Sequence, residues 1–156
     1  EEPDSPTYIA AVNGACAGGG YELALACDLL FAAEEAKFGD THTKWGIRPS
    51  WGMSQRLPRR VGPLLAREMS FTARTVSGTE AEKIGLVNRA IPATELDAAV
   101  AKTCQQIAAN SSETVAAMKD LYNSTDTLSL KDGLHYEWNT KYSISDTAER
   151  LADFIK

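Results

Sequence analysis

Residues 12–28 read VNGACAGGGYELALACD, a stretch that passes from a short apolar strand through consecutive glycines into a helix. Glycines let the backbone approach a ligand closely, and the N–H groups at a helix start have no partner inside the helix. These groups also lie at the positive end of the helix dipole, so an oxygen that gains negative charge is stabilised there. The stretch therefore predicts an oxyanion site at Gly19, with Glu22 about one helical turn away as a candidate acid or base.

The glycine run has a simpler interpretation, a tight strand-to-helix turn in which glycine only permits close packing. Three consecutive glycines exceed what one turn needs, and each lowers stability by about 0.5–1 kcal/mol relative to alanine. We therefore favour the functional interpretation of Gly18, Gly19 and Gly20. Without the glycines, Glu22 would be interpreted as a carboxylate that complements the dipole of its own helix.

Several common catalytic motifs are absent from the sequence. The glycine run has the spacing of a phosphate-binding loop, but Gly20 and Tyr21 stand where Lys and Ser or Thr are required. Neither the dinucleotide motif GxGxxG nor the serine-hydrolase motif GxSxG occurs. His42 and His135 are too far apart for an HExxH zinc site. We therefore expect no metal and no redox cofactor.

The composition limits the class of protein. A chain of 156 residues with 44% apolar residues can bury a core, and its net charge of -5 argues against binding nucleic acid. Three cysteines without CxxC spacing indicate neither a disulfide framework nor a cysteine-rich zinc site. No signal peptide or membrane span is predicted, so we expect a cytoplasmic or organellar-matrix protein that is not secreted. Because the chain opens directly on an interior type of strand, we expect it to be part of a longer protein.

Apolar runs and breakers predict the order of elements. Two strands, 8–12 and 29–33, enclose a helix over 21–27, an order that favours a parallel sheet. A short third strand is predicted over 36–38, followed by an irregular segment over 39–51. Further predictions are helices over 54–60 and 63–72, a helix opened by a capping box at 77–80 and ended by Gly85, a strand over 86–88, and helices over 95–110, 112–122, 130–142 and 146–155. Tyr136, Trp138 and Tyr142 are expected to pack within the domain rather than at a subunit interface.

A more specific signal comes from six segments that occur in a fixed order along the chain. They are IAAVNG at 9–14, the glycine run, ELALACD at 22–28, AKFG at 36–39, QRLP at 55–58 and AEKIGLVN at 81–88. Together these segments resemble the crotonase superfamily, the enoyl-CoA hydratases and isomerases. The resemblance implies an α/β fold with a β-β-α spiral core over 1–92, incomplete at its N-terminus. It also implies a C-terminal helical trimerisation region over 93–156.

The resemblance further implies an acyl-CoA substrate whose thioester enolate is stabilised by two backbone N–H groups. Gly19 matches the residue that supplies the second N–H, and the first is expected from a segment that precedes this chain. The implied activity is that of an enoyl-CoA hydratase, which adds water to a trans-2-enoyl-CoA. We expect a homotrimer or hexamer without a separate cofactor, since coenzyme A enters as part of the substrate.

The catalytic pair departs from the family pattern. Hydratases of this family use two glutamates around one water; Glu22 matches the first, and His42 occupies the position of the second. His42 is expected to orient the water or to help protonate C2, with a locally packed histidine as the alternative. A neutral imidazole does not supply a second negative charge. Enoyl-CoA isomerisation, acyl-CoA thioester hydrolysis and a non-catalytic acyl-CoA-binding subunit therefore stay open as alternatives.

By the same resemblance, the residues expected to contact the substrate are Ala17, Gly18, Trp45, Ser50 and Trp51. The two tryptophans flank a loop that borders the acyl pocket, and their bulk predicts a preference for short or medium acyl chains. The alternative is that both tryptophans are core residues.

Overall fold

The computed structural model describes residues 6–154 and divides into two compact units. The first unit is Tyr8–Lys102, and the second combines residues 103–154 with Pro6 and Thr7. The predicted division between residues 92 and 93 falls inside the first unit, directly ahead of a long helix. No helix within the described residues is both long and apolar enough to cross a bilayer.

The first unit contains two small sheets. Its six strands are β1 (Ile9–Val12), β2 (Ala15–Ala17), β3 (Leu29–Ala33), β4 (Lys37–Gly39), β5 (Thr75–Ser77) and β6 (Arg89–Ile91). One sheet has the order β1-β3-β6 and is parallel, while the other has the order β2-β4-β5, with β2 and β4 parallel and β4 and β5 antiparallel. The first four strands alternate between the two sheets, and the parallel pairs are linked through helices, which confirms the predicted α/β class.

Helices connect and follow these strands. The first unit contains α1 (Gly19–Leu25), α2 (His42–Trp45), α3 (Met53–Val61), α4 (Pro63–Thr72), α5 (Gly78–Lys83) and most of α6 (Leu96–Ala108), with a 3₁₀ turn over Ala93–Glu95. The second unit contains α7 (Ser112–Ser124), α8 (Leu130–Asn139) and α9 (Thr147–Phe154). The order strand, strand, helix occurs twice, as β1-β2-α1 and β3-β4-α2.

Predictions of local structure that depend on a helix cap or an apolar run are confirmed. The predicted strand over 29–33 is β3, which pairs in parallel with β1. The predicted capping residue Ser77 accepts a hydrogen bond from the Glu80 N–H at 3.1 Å at the start of α5. Gly62, whose φ is +83°, separates α3 from α4, which agrees with the two helices predicted over 54–60 and 63–72.

Two predictions about local structure are wrong. The segment 39–51 is not irregular throughout, because α2 forms within it and ends at Gly46 in a left-handed conformation with φ +66°. The predicted strand over 86–88 is a turn, and the strand begins at Arg89 instead. The turn forms because the N–H groups of Leu86 and Val87 both donate to the Ala81 carbonyl, at 2.8 and 3.3 Å.

The core of the first unit holds α1 between the sheets and α3. Tyr21 and Phe38 are fully buried and meet edge to face, with ring centroids 5.7 Å apart. Leu25, Met53 and Leu57 belong to the same buried cluster. Because α1 buries the face that carries Tyr21 and Leu25, the next side chain, that of Glu22, lies at the edge of the core.

In the second unit, the predicted packing of the three aromatics holds only in part. The hydroxyl groups of Tyr136 and Tyr142 both donate to Asp120 Oδ2, at 2.8 and 2.6 Å. Burial and this bond to Asp120 raise the pKa of the Tyr142 phenol. Trp138 is 88% exposed and does not pack within the unit.

Candidate active site

Glu22 lies in the first turn of α1 and is buried, with only 3% of the residue exposed. Its Oε1 atom accepts hydrogen bonds from the backbone N–H groups of Trp51 at 2.9 Å and Met53 at 3.1 Å. Met53 is the first residue of α3 and Trp51 lies two residues before it, so the carboxylate lies at the positive end of a helix dipole. Through Oε1, Glu22 therefore binds backbone N–H groups at the N-terminus of a second helix. Its Oε2 atom takes part in neither of these two hydrogen bonds.

The backbone turn at residues 51–53, whose N–H groups bind Glu22, is held in place by Arg56. Gly52 adopts φ +108°, and a Cβ atom there would lie 2.0 Å from Nη1 of Arg56. The same Nη1 donates to the Trp51 carbonyl at 2.8 Å. The Arg56 side chain thus occupies the space that Gly52 leaves and holds the backbone whose N–H groups bind Glu22.

His42 begins α2 and is also buried. Its Nδ1 atom lies 2.5 Å from Asp40 Oδ1, and the same oxygen accepts the His42 backbone N–H at 3.2 Å. Burial acts to raise the pKa of Asp40, but hydrogen bonds from Ser70 and His42 outweigh this effect and hold the pKa below its ordinary value. Asp40 is therefore ionised near neutral pH.

The other ring nitrogen of His42 faces Glu22. His42 Nε2 and Glu22 Oε2 are 3.7 Å apart, which is too long for a direct hydrogen bond. A water oxygen can lie within hydrogen-bond distance of two atoms at this separation. The arrangement can therefore hold one water between a carboxylate and an imidazole.

The glycine turn lies directly before Glu22 in the chain. Gly18 has φ +52°, a conformation that favours glycine, and its carbonyl accepts the N–H groups of Tyr21 and Glu22, each at 3.0 Å. Gly19 is the first residue of α1, so its N–H has no carbonyl acceptor inside the helix. No turn or cap bond within residues 6–154 engages that N–H. A donor for an external oxygen is thus available beside the carboxylate.

Trp51 covers one side of this turn. A Cβ atom added at Gly19 would lie 3.0 Å from Cζ3 of the Trp51 ring. The ring therefore packs against the glycine backbone, and any side chain at residue 19 would displace it. Glycine at residue 19 lets the ring approach the backbone this closely.

The alternative that both tryptophans are core residues is wrong, because Trp45 and Trp51 are each 68% exposed. Ala17 ends β2 directly before Gly18, and Ser50 directly precedes Trp51; both are exposed. All four residues therefore lie on the surface. Ala17 adjoins the glycine turn, Trp45 is the last residue of α2, and Ser50 and Trp51 lie in the segment that follows α2. Their contact with an acyl-CoA, like that of Gly18, stays a prediction.

The sequence and the coordinates both match known proteins. A family model described as enoyl-CoA hydratase/isomerase matches residues 4–153. The chain belongs to this family. Family membership confirms the crotonase resemblance that the ordered segments carry.

Among relatives of this chain in the enoyl-CoA hydratase/isomerase family, a probable enoyl-CoA hydratase of Mycobacterium bovis is 40% identical over 155 residues, which cover 97% of this chain and 60% of that protein. A carnitinyl-CoA dehydratase of Proteus mirabilis is 40% identical over 125 residues, covering 80% of this chain and 48% of that protein. The crystal structure of an enoyl-CoA hydratase from Bacillus anthracis superimposes with a TM-score of 0.87 at 36% identity and covers 94% of this chain and 58% of that one. The chain thus spans about half to three fifths of the length of these proteins.

Sequence reasoning missed two parts of the candidate site in this member of the enoyl-CoA hydratase/isomerase family. Asp40 received no role, although it lies two residues before His42 and directly after β4. The backbone N–H groups of Trp51 and Met53 were also missed, because nothing in the sequence brings them next to Glu22. An acid two residues before a candidate catalytic histidine, at the end of a strand, was the available signal for Asp40.

Proposed function

We propose that the whole protein to which this chain belongs is an enoyl-CoA hydratase, which adds water across the double bond of a trans-2-enoyl-CoA. One observation carries the proposal: the buried Glu22 Oε2 and His42 Nε2 lie 3.7 Å apart, next in the chain to a glycine turn with an available N–H. Membership of the enoyl-CoA hydratase/isomerase family supports it.

The Gly19 N–H would bind the thioester carbonyl oxygen and stabilise it as it becomes an enolate oxygen. A second N–H is expected from a segment outside this chain. The positive end of the α1 dipole adds to the same effect, since Gly19 is the first residue of that helix. This part of the site would lower the energy of the enolate and leave the addition of water to the side chains.

Glu22 would act as the base. As the water oxygen forms a bond to C3, one water proton moves to Glu22 Oε2, and the electrons of the double bond pass to the thioester oxygen. The proton held on Glu22 Oε2 then passes to C2, which converts the enolate into the 3-hydroxyacyl thioester and restores the carboxylate. His42 is placed to orient the water or to help this protonation of C2. Water addition changes no net oxidation state, so the proposed reaction requires no redox cofactor.

Two observations favour hydration over the other reactions of this family. An isomerase of the usual kind in this family relies on a carboxylate at the position that His42 holds, whereas Glu22 is retained here. The relatives named above are a probable hydratase and a dehydratase, which carry out the two directions of one kind of reaction. The enoyl thioester absorbance separates the alternatives, because hydration removes the conjugated double bond.

The test is Glu22→Gln in the whole protein, assayed with crotonyl-CoA. The glutamine oxygen can still accept the N–H groups of Trp51 and Met53, so the turn is retained while the base is lost. Hydration should fall by about 10²–10⁴-fold, while acyl-CoA binding changes little. Glu35→Gln is the matched control, because Glu35 is exposed and outside the site. Unchanged turnover in Glu22→Gln would refute the assignment of Glu22.

A further inference from the structure

We propose that Asp40 is a positioning residue that fixes the proton of His42 on Nδ1, so that Nε2 faces Glu22 as a hydrogen-bond acceptor and takes the place of a second carboxylate oxygen. This inference rests on the proposed hydration for its catalytic consequence. Its structural content, which nitrogen carries the proton, is independent of the reaction. The experiments below separate the two.

Asp40 holds both the side chain and the backbone of His42. Its Oδ1 atom lies 2.5 Å from Nδ1 and accepts the backbone N–H at 3.2 Å, and both residues are buried. Asp40 directly follows β4, so its own backbone is anchored at the end of a sheet strand. The imidazole ring is thereby fixed by two bonds to one oxygen at a rigid position.

The charge of Asp40 decides the tautomer. An ionised carboxylate has no hydrogen to donate, so the hydrogen between Oδ1 and Nδ1 belongs to the imidazole. The opposite tautomer would place the Nδ1 lone pair against the carboxylate oxygen at 2.5 Å, which is repulsive. In the neutral ring, Nε2 then has a lone pair and no hydrogen.

The geometry around Nε2 gives this tautomer a function. Glu22 Oε2, 3.7 Å away, is also an acceptor, so the two atoms do not bond to each other. A water between them would donate one hydrogen to each atom and keep an oxygen lone pair free for attack on C3. Two acceptors are what a pair of glutamates would offer, and Asp40 allows His42 to offer the second.

A double-mutant cycle in the whole protein tests the catalytic consequence. Asp40→Asn keeps the shape of the side chain but offers Nδ1 an amide hydrogen, which favours the opposite tautomer. We expect kcat for crotonyl-CoA to fall by about 10–100-fold with KM little changed. In a His42→Gln background, the same Asp40 change should lower kcat by less than about twofold, because Asp40 acts through His42. Glu35→Gln again serves as the control.

A second measurement reads the tautomer directly and needs no activity. Long-range proton–nitrogen NMR spectra of protein labelled with ¹⁵N-histidine distinguish a ring nitrogen that carries hydrogen from one that does not, and His42→Gln assigns the signals. We expect hydrogen on Nδ1 in the unchanged protein and a shift toward Nε2 in Asp40→Asn. Hydrogen on Nε2 in the unchanged protein overturns the inference, even if Asp40→Asn does not fold.

The outcomes separate this inference from the proposed function. If Glu22→Gln abolishes hydration while Asp40→Asn does not change kcat, the function stands and the role of Asp40 falls. An equal loss of kcat in both backgrounds of the cycle would assign Asp40 a structural role only and also overturn the inference. If the unchanged protein does not hydrate enoyl-CoA, the proposed function fails, and the NMR spectra still decide the tautomer.

Discussion

At the scale of single residues, Asp40 ties the stability of the protein to pH. The pKa of Asp40 is lower in the folded protein than its ordinary value of 3.8, because hydrogen bonds from Ser70 and His42 outweigh the effect of burial. A carboxyl group with a lowered folded pKa contributes stability above its unfolded pKa. That contribution is lost as the pH falls through the unfolded and then the folded value.

We therefore predict a pH-dependent difference between the unchanged protein and Asp40→Asn. The variant should be less stable near neutral pH by about 1.5–3 kcal/mol, the usual contribution of a hydrogen bond to a charged group. The difference in the free energy of unfolding should persist down to about pH 5 and shrink at lower pH, as Asp40 becomes protonated. Urea unfolding over a pH series measures it. A difference as large near pH 3 as near pH 7 would contradict the assignment of the charge to Asp40.

At the scale of elements, α5 can begin only because residue 78 has no side chain. A Cβ atom at Gly78 would lie 1.9 Å from the carbonyl oxygen of Ala33, at the end of β3. A backbone oxygen in a buried strand cannot move aside as a flexible side chain can. The close approach therefore fixes how α5 packs on the sheet.

We predict that Gly78→Ala lowers the free energy of unfolding by about 1–3 kcal/mol or more, because the overlap forces the helix or the strand to shift. Gly20→Ala is the matched control in the same unit, since nothing lies within 4 Å of its added Cβ atom. Gly20→Ala should leave the free energy of unfolding unchanged or raise it by up to about 1 kcal/mol, because alanine has a higher helix propensity than glycine. Equal effects of the two changes in urea unfolding would show that packing at Gly78 is not limiting.

The elements also show what the sequence can predict. β3 and α5 were found because an apolar run and a cap are local signals. The strand β2 was missed because its three residues lie between glycine-containing segments and become a strand only through pairing with β4. The helix α2 has four residues, too few for a helical period to be visible. Structure that depends on a distant partner or on a single turn leaves little local pattern.

The site follows the same rule. Gly19 and Glu22 were selected because a glycine run that opens a helix beside a carboxylate is a distinctive local pattern. His42 was selected because the family resemblance places it where a second glutamate is expected. Asp40 was not, because its role depends on burial and on the direction of its Oδ1 atom toward the His42 ring. Residue types that bear chemistry can be read from a sequence, whereas the contacts that orient them cannot.

At the scale of the whole molecule, assembly into a homotrimer or hexamer stays a proposal, and one face of α8 supports it. Leu130, Leu134 and Trp138 recur at intervals of four residues and are 81%, 59% and 88% exposed. Residues at this spacing lie on one side of a helix. A continuous apolar stripe of this kind marks an interaction surface more often than a solvent-facing one.

We predict that Leu134→Glu weakens self-association, because it places a charge in the middle of the stripe and loses the burial of a leucine, worth about 1.5–3 kcal/mol. His135→Glu is the matched control: it adds a negative charge at the neighbouring exposed position, which lies about 100° around the same helix. Light scattering after size-exclusion chromatography, over a dilution series, should show Leu134→Glu dissociating at concentrations where the control keeps the mass of the unchanged protein. An equal mass for all three proteins across the series would mean that this face of α8 is not what holds the subunits together.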